Sequence, residues 1–199
     1  MYYIVFDMEF NQDFSSVITL DDQKASYPSE IIQIGAVKLD ADFNTKATFN
    51  RFVKPTLYSQ ISPFITELTG ITTGQLSEEE PFPKVYEAFL DFIEADDSIF
   101  CVWGMTDMKE LFRTTEYFKL EQKRLPKQYI NLQPYASLHF NQSQKKLLRL
   151  QSTVEALTIP QIYPFHNALH DAFYTAEVLK VIWRPSIQPK LYDPIHINV

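Results

Sequence analysis

Glycine is scarce in this chain of 199 residues, occurring only at positions 35, 70, 74 and 104. That is about 2%, where roughly 7% is usual. None of the four falls into GxGxxG or GxxxxGK[ST] spacing, so a dinucleotide fingerprint and a P-loop are both excluded. Cysteine is scarcer still. The lone Cys101 rules out a disulfide framework and a thiol-rich zinc site, and it fits a reducing compartment. Basic residues are outnumbered, 18 Lys and Arg against 25 Asp and Glu, for a net charge of −7. A broad cationic surface for gripping long duplexes is therefore not expected, although bound cations can invert the field of an acidic site. No run approaches the ~18 uninterrupted apolar residues of a membrane span. The opening MYYIVFDMEF lacks the basic region and long apolar stretch of a signal peptide, so a cytoplasmic location is the expectation. What the chain does have is aromatic mass: 16 Phe, 11 Tyr and 2 Trp within 45% apolar residues, enough to bury a sizeable core in one domain.

The pattern of apolar residues predicts an α/β domain. Residues 2–10 read as a strand apolar on both faces apart from two acids, the mark of a central strand covered on both sides. A polar stretch from Asn11 to Ser29 follows, a length that in a compact domain is usually functional or mobile. Residues 30–39 and 47–54 predict two more strands, joined by a connection short enough for an antiparallel hairpin. Ser62-Pro63 opens a short helix closed by Gly70. A helical stripe of Val85, Phe89, Phe92 and Ile93 precedes a strand at 98–103, and Thr106 is placed to cap the helix after it. A last strand is expected at 128–132, with helices near 133–140 and 150–158 and a longer one at 167–183. In that last helix Leu169, Ala172, Phe173, Ala176, Leu179 and Ile182 keep the 3-to-4 spacing. Three strands followed by helices alternating with two shorter strands predict a mixed five-stranded sheet flanked by helices. The domain is expected over 1–183, with a Pro-containing tail over 184–199.

Three groups of polar residues stand where carboxylates are costly. Asp7 and Glu9, two apart on a strand, share a face. If that strand is central, they repel each other in a poorly solvated place, and no Lys or Arg occurs in the first 23 residues to offset them. Asp107 lies just past the end of a second buried strand, where ligands gather in α/β sheets. His166 and Asp171 open the last helix, with Asp171 beside its apolar stripe. The ordinary imidazole pKa of about 6.5 suits proton abstraction at neutral pH. Taken singly, each has a plainer explanation: an edge strand with solvated acids, an acid complementing a helix dipole, a helix cap and a surface carboxylate. His170 reads as a solvent-facing neighbour. Taken together, four carboxylates without basic partners form a hard oxygen set suited to Mg²⁺ or Mn²⁺.

In order and spacing these residues resemble the DEDDh 3′–5′ exonucleases, the DnaQ-like branch of the RNase H-like fold. Asp7 and Glu9 match the D-x-E motif, Asp107 in WGMTD the second motif, and His166 with Asp171 the H-x4-D motif. The resemblance spans residues 2 to 183. PSEIIQIGAV and ISPFITELTGIT are similar to the Eri-type and KapD-like exoribonuclease branch, whereas Phe10 stands where many relatives carry Thr. The resemblance implies a phosphodiesterase using two Mg²⁺ or Mn²⁺ ions. Asp7 would bridge both, Glu9 and Asp171 would complete one site, Asp107 would hold the other partly through water, and His166 would take the proton of the attacking water. The implied substrate is the 3′ end of single-stranded nucleic acid, RNA or short oligonucleotides first, with release of nucleoside 5′-monophosphates. Phe10 is a candidate for stacking a terminal base, against a plain core role; Phe64 and Leu68 are further candidates on resemblance. Two other readings stay open, a proofreading-type DNA exonuclease and an idle nucleic-acid-binding module of the same fold. The sequence names no protein partner.

Overall fold

The apolar run EIIQIGAVKL becomes a strand enclosed along its whole length. In the computed structural model, which describes residues 1–12, 29–94 and 97–193, this strand, β2 (Glu30–Leu39), is buried at all ten positions. It lies between β1 (Tyr2–Asn11) and β3 (Thr45–Phe52), antiparallel to both. The expected tight connection is made by Asp40, whose Oδ1 accepts from the backbone N–H of Asp42 at 3.0 Å and of Asn44 at 2.9 Å. β4 (Ser98–Val102) pairs parallel with β1, and β5 (Gln128–Asn131) parallel with β4. The helices are α1 (Pro63–Thr69), α2 (Thr73–Leu76), α3 (Phe82–Ile93), α4 (Thr106–Tyr117), α5 (Gln133–His139), α6 (Leu150–Ala156) and α7 (Ala168–Ile182). α1 stops where expected, at Gly70, whose φ of 74° suits glycine.

The sheet has six strands, not five. Lys190–Leu191 forms β6, antiparallel to β5, giving the order β3-β2-β1-β4-β5-β6. The prolines of the tail do not prevent this, because an edge strand needs only one set of ladder bonds. Tyr192 extends the contact, donating its N–H to the Lys127 carbonyl at 2.9 Å and packing its ring 4.4 Å from Phe112. Ile187 is buried in the core. Within 184–193, Lys190 and Leu191 join the sheet and Ile187 joins the core; 194–199 lie outside the described residues, as does most of the polar stretch after Asn11.

The pleat of β1 divides the core in two. Ile4, Phe6 and Met8 face a cluster with Val85, Phe89 and Ile93 of α3 and Met108 and Leu111 of α4. Tyr3 and Val5 face Ala172, Ala176 and Leu179 of α7. α7 is buried more widely than one stripe: Tyr174, Thr175 and Val178 are buried too, while Leu169 and Phe173 are half-buried. A smaller cluster of Ile32, Ile61, Ile65, Ile71 and Leu76 seats α1 and α2. Thr106 is not a cap: Met105 occupies that position and makes no side-chain capping bond. No helix among the described residues is long and apolar enough to cross a membrane.

Candidate active site

Along β1 the face that carries Tyr3 and Val5 continues as Asp7 and Glu9. Opposite them on β2, Asp7 pairs with Gly35 and Glu9 with Gln33. These two partners fix where α7 begins. A Cβ on Gly35 would fall 2.1 Å from Ala168 C and Leu169 N, so only glycine lets the helix backbone rest on the strand. Gln33 is fully buried; its Oε1 accepts from the Ala168 N–H at 3.2 Å and its Nε2 donates to Asn50 Oδ1 at 2.9 Å. The first turn of α7 is thereby held over the end of β1. The carboxylates of Asp7, Glu9 and Asp171 come together, with one oxygen of each within 4.8 Å of the others.

Asp107 arrives from the other side. β4 ends at Val102, leaving the edge of β1 beyond it without a ladder partner. The Met8 N–H donates instead to Asp107 Oδ1 at 3.2 Å. Asp107 sits next to the three clustered acids rather than among them, and it does more than complement its helix dipole. The turn behind it is set by Asn131, whose Oδ1 accepts from the Gly104 and Gln133 N–H groups, each at 3.1 Å.

His166 lies just outside α7, whose cap is Asn167, and carries an uncommon φ of 64°. Its N–H donates to Asp171 Oδ2 at 3.2 Å. Its ring is exposed. A bulky residue in the left-handed region is strained, a condition that often accompanies function. His170 is half-buried rather than solvent-facing: its ring stacks on Tyr163 at 4.7 Å, and its Nδ1 lies 3.0 Å from the Pro164 carbonyl oxygen. It holds the segment that leads into His166.

Burial makes all four carboxylates reluctant to ionise. It raises the Asp7 carboxyl well above the usual range, with Asp107, Asp171 and Glu9 adding repulsion. It pushes Glu9 up to about 8, reinforced by Asp171 and Asp107. Asp107 rises to about 7, because the bond from Met8 N–H only partly offsets its desolvation. Asp171 rises to about 6, held back by the His166 N–H. Among the described residues no Lys or Arg forms an ion pair with any of them. Asp171 Oδ1 is buried and has no hydrogen-bond partner. A hard divalent cation fits this donor set: it would satisfy that oxygen and remove the mutual repulsion.

The remaining candidates lie near by. The β1–β2 register slips between Glu9 and Phe10, a bulge of the kind that re-aims side chains beside functional sites. Phe10 is half-buried against the α3–α4 core. Phe64 and Leu68 project from α1 and are 56% and 40% exposed. α1 is tied to β1 by Asn11, which belongs to the strand and not to a loop. Its side chain is 1% exposed, accepts from the Ser62 N–H at 2.9 Å and donates to the Gln60 carbonyl at 3.1 Å. Asn11, Gln33 and Gly35 are missed by reading motifs, although a Gln and a Gly inside an otherwise apolar buried strand are an available signal.

The chain as a whole is similar to known nucleases. A family model described as exonuclease (RNase_T) matches residues 4–179. The 3′-5′ exonuclease crn-4 of Caenorhabditis elegans is 26% identical over 192 residues, covering 88% of this chain and 62% of that protein. ERI1 exoribonuclease 3 of Homo sapiens is 25% identical over 190 residues, covering 91% of this chain and 53% of that protein. The chain thus spans a little over half the length of these relatives. Among solved structures, the nuclease domain of 3′hExo, a DEDDh family member bound to rAMP, superposes with a TM-score of 0.78 at 20% identity, covering 96% of each chain. The architecture is therefore the RNase H-like fold, and the match over residues 4–179 makes the chain a member of the exonuclease family.

Proposed function

We propose that this protein is a divalent-metal-dependent 3′–5′ exonuclease that releases nucleoside 5′-monophosphates from single-stranded RNA or short oligonucleotides. The observation that carries this reading is the meeting of Asp7, Glu9 and Asp171 within 4.8 Å, in a place where burial penalises their charge. The names of the relatives, 3′-5′ exonuclease and exoribonuclease, support the activity and the preference for RNA. A solved structure of S. pombe Pop2p, with a TM-score of 0.68, is a Mg²⁺- and Mn²⁺-bound form.

In this reading Asp7, Glu9 and Asp171 would hold the two cations, with Asp107 beside them as the fourth acid. The chemistry that bound Mg²⁺ or Mn²⁺ would supply is acidification of a water and neutralisation of charge on the attacking and leaving oxygens. The chain's own residues do the rest. The Met8 N–H fixes one oxygen of Asp107 and so orients the other. The His166 ring would accept the proton of the attacking water, and the hydrogen bond from its backbone N–H to Asp171 ties the residue to the acidic cluster. Phe64 and Leu68 offer an apolar platform for the terminal base, worth about 1–3 kcal/mol per stacked base. Phe10 packs against the core formed with α3 and α4, which favours the plain core role over stacking of a base.

The test uses 5′-labelled single-stranded RNA and DNA with Mg²⁺, Mn²⁺ or EDTA. Stepwise shortening from the 3′ end, faster on RNA and abolished by EDTA, is expected. Internal cleavage, or shortening that survives EDTA, would refute the reading.

A further inference from the structure

Divalent ions at the carboxylate site can neutralise the scissile phosphate, but the phosphates upstream of it need their countercharge from elsewhere on this acidic protein. Charge is segregated along this chain. Between Glu121 and Glu155 there is no acid, and six cations occur: Lys123, Arg124, Lys127, Lys145, Lys146 and Arg149. Lys123 and Arg124 are engaged, pairing with Glu121 and with Glu87 and Asp91 respectively. Lys127 precedes β5 and so lies at the opposite end of the sheet from the acids. Lys145, Lys146 and Arg149 remain, all exposed and in no ion pair among the described residues.

The turn that carries them is fixed at the same end of the sheet as the site. The Leu148 carbonyl accepts from Trp103 Nε1 at 3.1 Å and from Gln133 Nε2 at 2.9 Å. The Lys146 carbonyl accepts from the Ser137 hydroxyl, and the Lys146 N–H donates to Ser143 at 2.9 Å. Trp103 directly follows β4, which runs parallel to β1, and Asp107 comes four residues later. The turn therefore stands at the end of the sheet where Asp7 and Glu9 lie, with its backbone clamped and its cationic side chains free in water. Leu147, 62% exposed, sits between them.

We infer that the Lys145–Arg149 turn is a docking surface for the phosphodiester backbone of a single strand whose 3′ end occupies the carboxylate site. This deepens the exonuclease reading and rests on it. Lys145, Lys146 and Arg149 neutralise phosphates upstream of the scissile bond, and Leu147 offers an apolar contact to a base or sugar between them. A clamped turn gives up little conformational freedom on binding, which favours such a surface over mobile lysines. With its 3′ end at the carboxylates, a trinucleotide would stop short of the turn, whereas a strand of about 12 nucleotides, within the usual ~4–16 of single-strand sites, would cover it.

The test compares the full chain with the triple variant Lys145→Gln, Lys146→Gln, Arg149→Gln, each in an Asp7→Asn background so that the strand survives. Binding of a labelled 12-nucleotide RNA and a trinucleotide is followed by fluorescence anisotropy across a salt series. The triple variant should bind the long strand about tenfold more weakly at low salt. Its log–log salt slope should shrink by about 2, as three lost phosphate contacts on a single strand require. Trinucleotide binding and the melting temperature should not change, and Lys145→Arg with Lys146→Arg should bind as the parent does. An unchanged salt slope, or an equal loss on both lengths, overturns the inference. If the long strand loses affinity as expected but the parent protein shortens no strand, the surface stands and the exonuclease reading falls. Shortening from the 3′ end with an unaltered salt slope removes the surface alone.

Discussion

The two halves of β1 lie in one layer against one helix and follow opposite chemistry. Tyr3 and Val5 meet Ala172, Ala176 and Leu179 in the body of α7 and are sealed from water. Asp7 and Glu9, next on the same face, meet the first turn of α7 and find another carboxylate instead of a cation. Burial that stabilises the first half destabilises the second, a cost that a bound divalent ion would relieve. One helix thus closes the core with its body and assembles the site with its start. The join between these two tasks is the contact of Gly35 and Gln33 with Ala168.

The largest effect expected separates the halves outright. Asp7→Asn should lower the exonuclease rate by about a thousandfold or more while raising the melting temperature in EDTA at pH 8, because a buried charge is gone. Rates and thermal melts on the same preparation check both, and a lower melting temperature would contradict the cost assigned to Asp7. His166→Gly is expected to cost about 10²–10⁴ in rate, the usual worth of a general base. Its stability should stay within about 1 kcal/mol, since glycine accepts the φ of 64°. Gly35→Ala strikes the join and should cost about 3 kcal/mol in urea unfolding, with reduced activity, because a Cβ has no space against Ala168. Val5→Ala, confined to the apolar half, should cost about 2 kcal/mol and leave the rate per folded molecule unchanged.

The gentlest perturbation is pH. Unfolded carboxyls titrate near 4, whereas Asp171, Asp107 and Glu9 are pushed to about 6, 7 and 8 in the folded protein. Between these values the folded state holds more protons than the unfolded one, so stability falls as pH rises. In EDTA the advantage should be complete below about pH 4 and fade through pH 6–8, read as a declining melting temperature. Saturating Mg²⁺ should flatten the decline. A flat profile without metal would show that the acids are better solvated than their burial implies.

Most of the apolar half was legible in the sequence, and the acidic half in part. The two-residue period of β1 places Asp7 and Glu9 on one face from spacing alone, and the helical period sets Asp171 beside the apolar stripe of α7. Long-range backbone contacts leave no such trace. Nothing near Gln33 or Gly35 says that a helix starting 135 residues after Gln33 will rest on them. Asn11 reads as the start of a polar loop because its partners, Gln60 and Ser62, are equally remote. Tail prolines concealed β6, whose pairing depends on an edge of β5 that no local pattern reveals. Thr106 looked like a cap by residue type, but Gly104 and Asn131 set the turn one residue earlier.

That short sixth strand has a consequence for the molecule's life in crowded solution. A sheet rim with open backbone groups is a template on which another copy can add its own strand, the first step toward aggregates. At one rim β3 is mostly exposed but carries Lys46 and Arg51, which discourage such pairing. At the other, Lys190 and Leu191 occupy the rungs of β5 themselves. Two residues of tail, pinned by one tyrosine, thus work as a built-in stopper against self-recruitment.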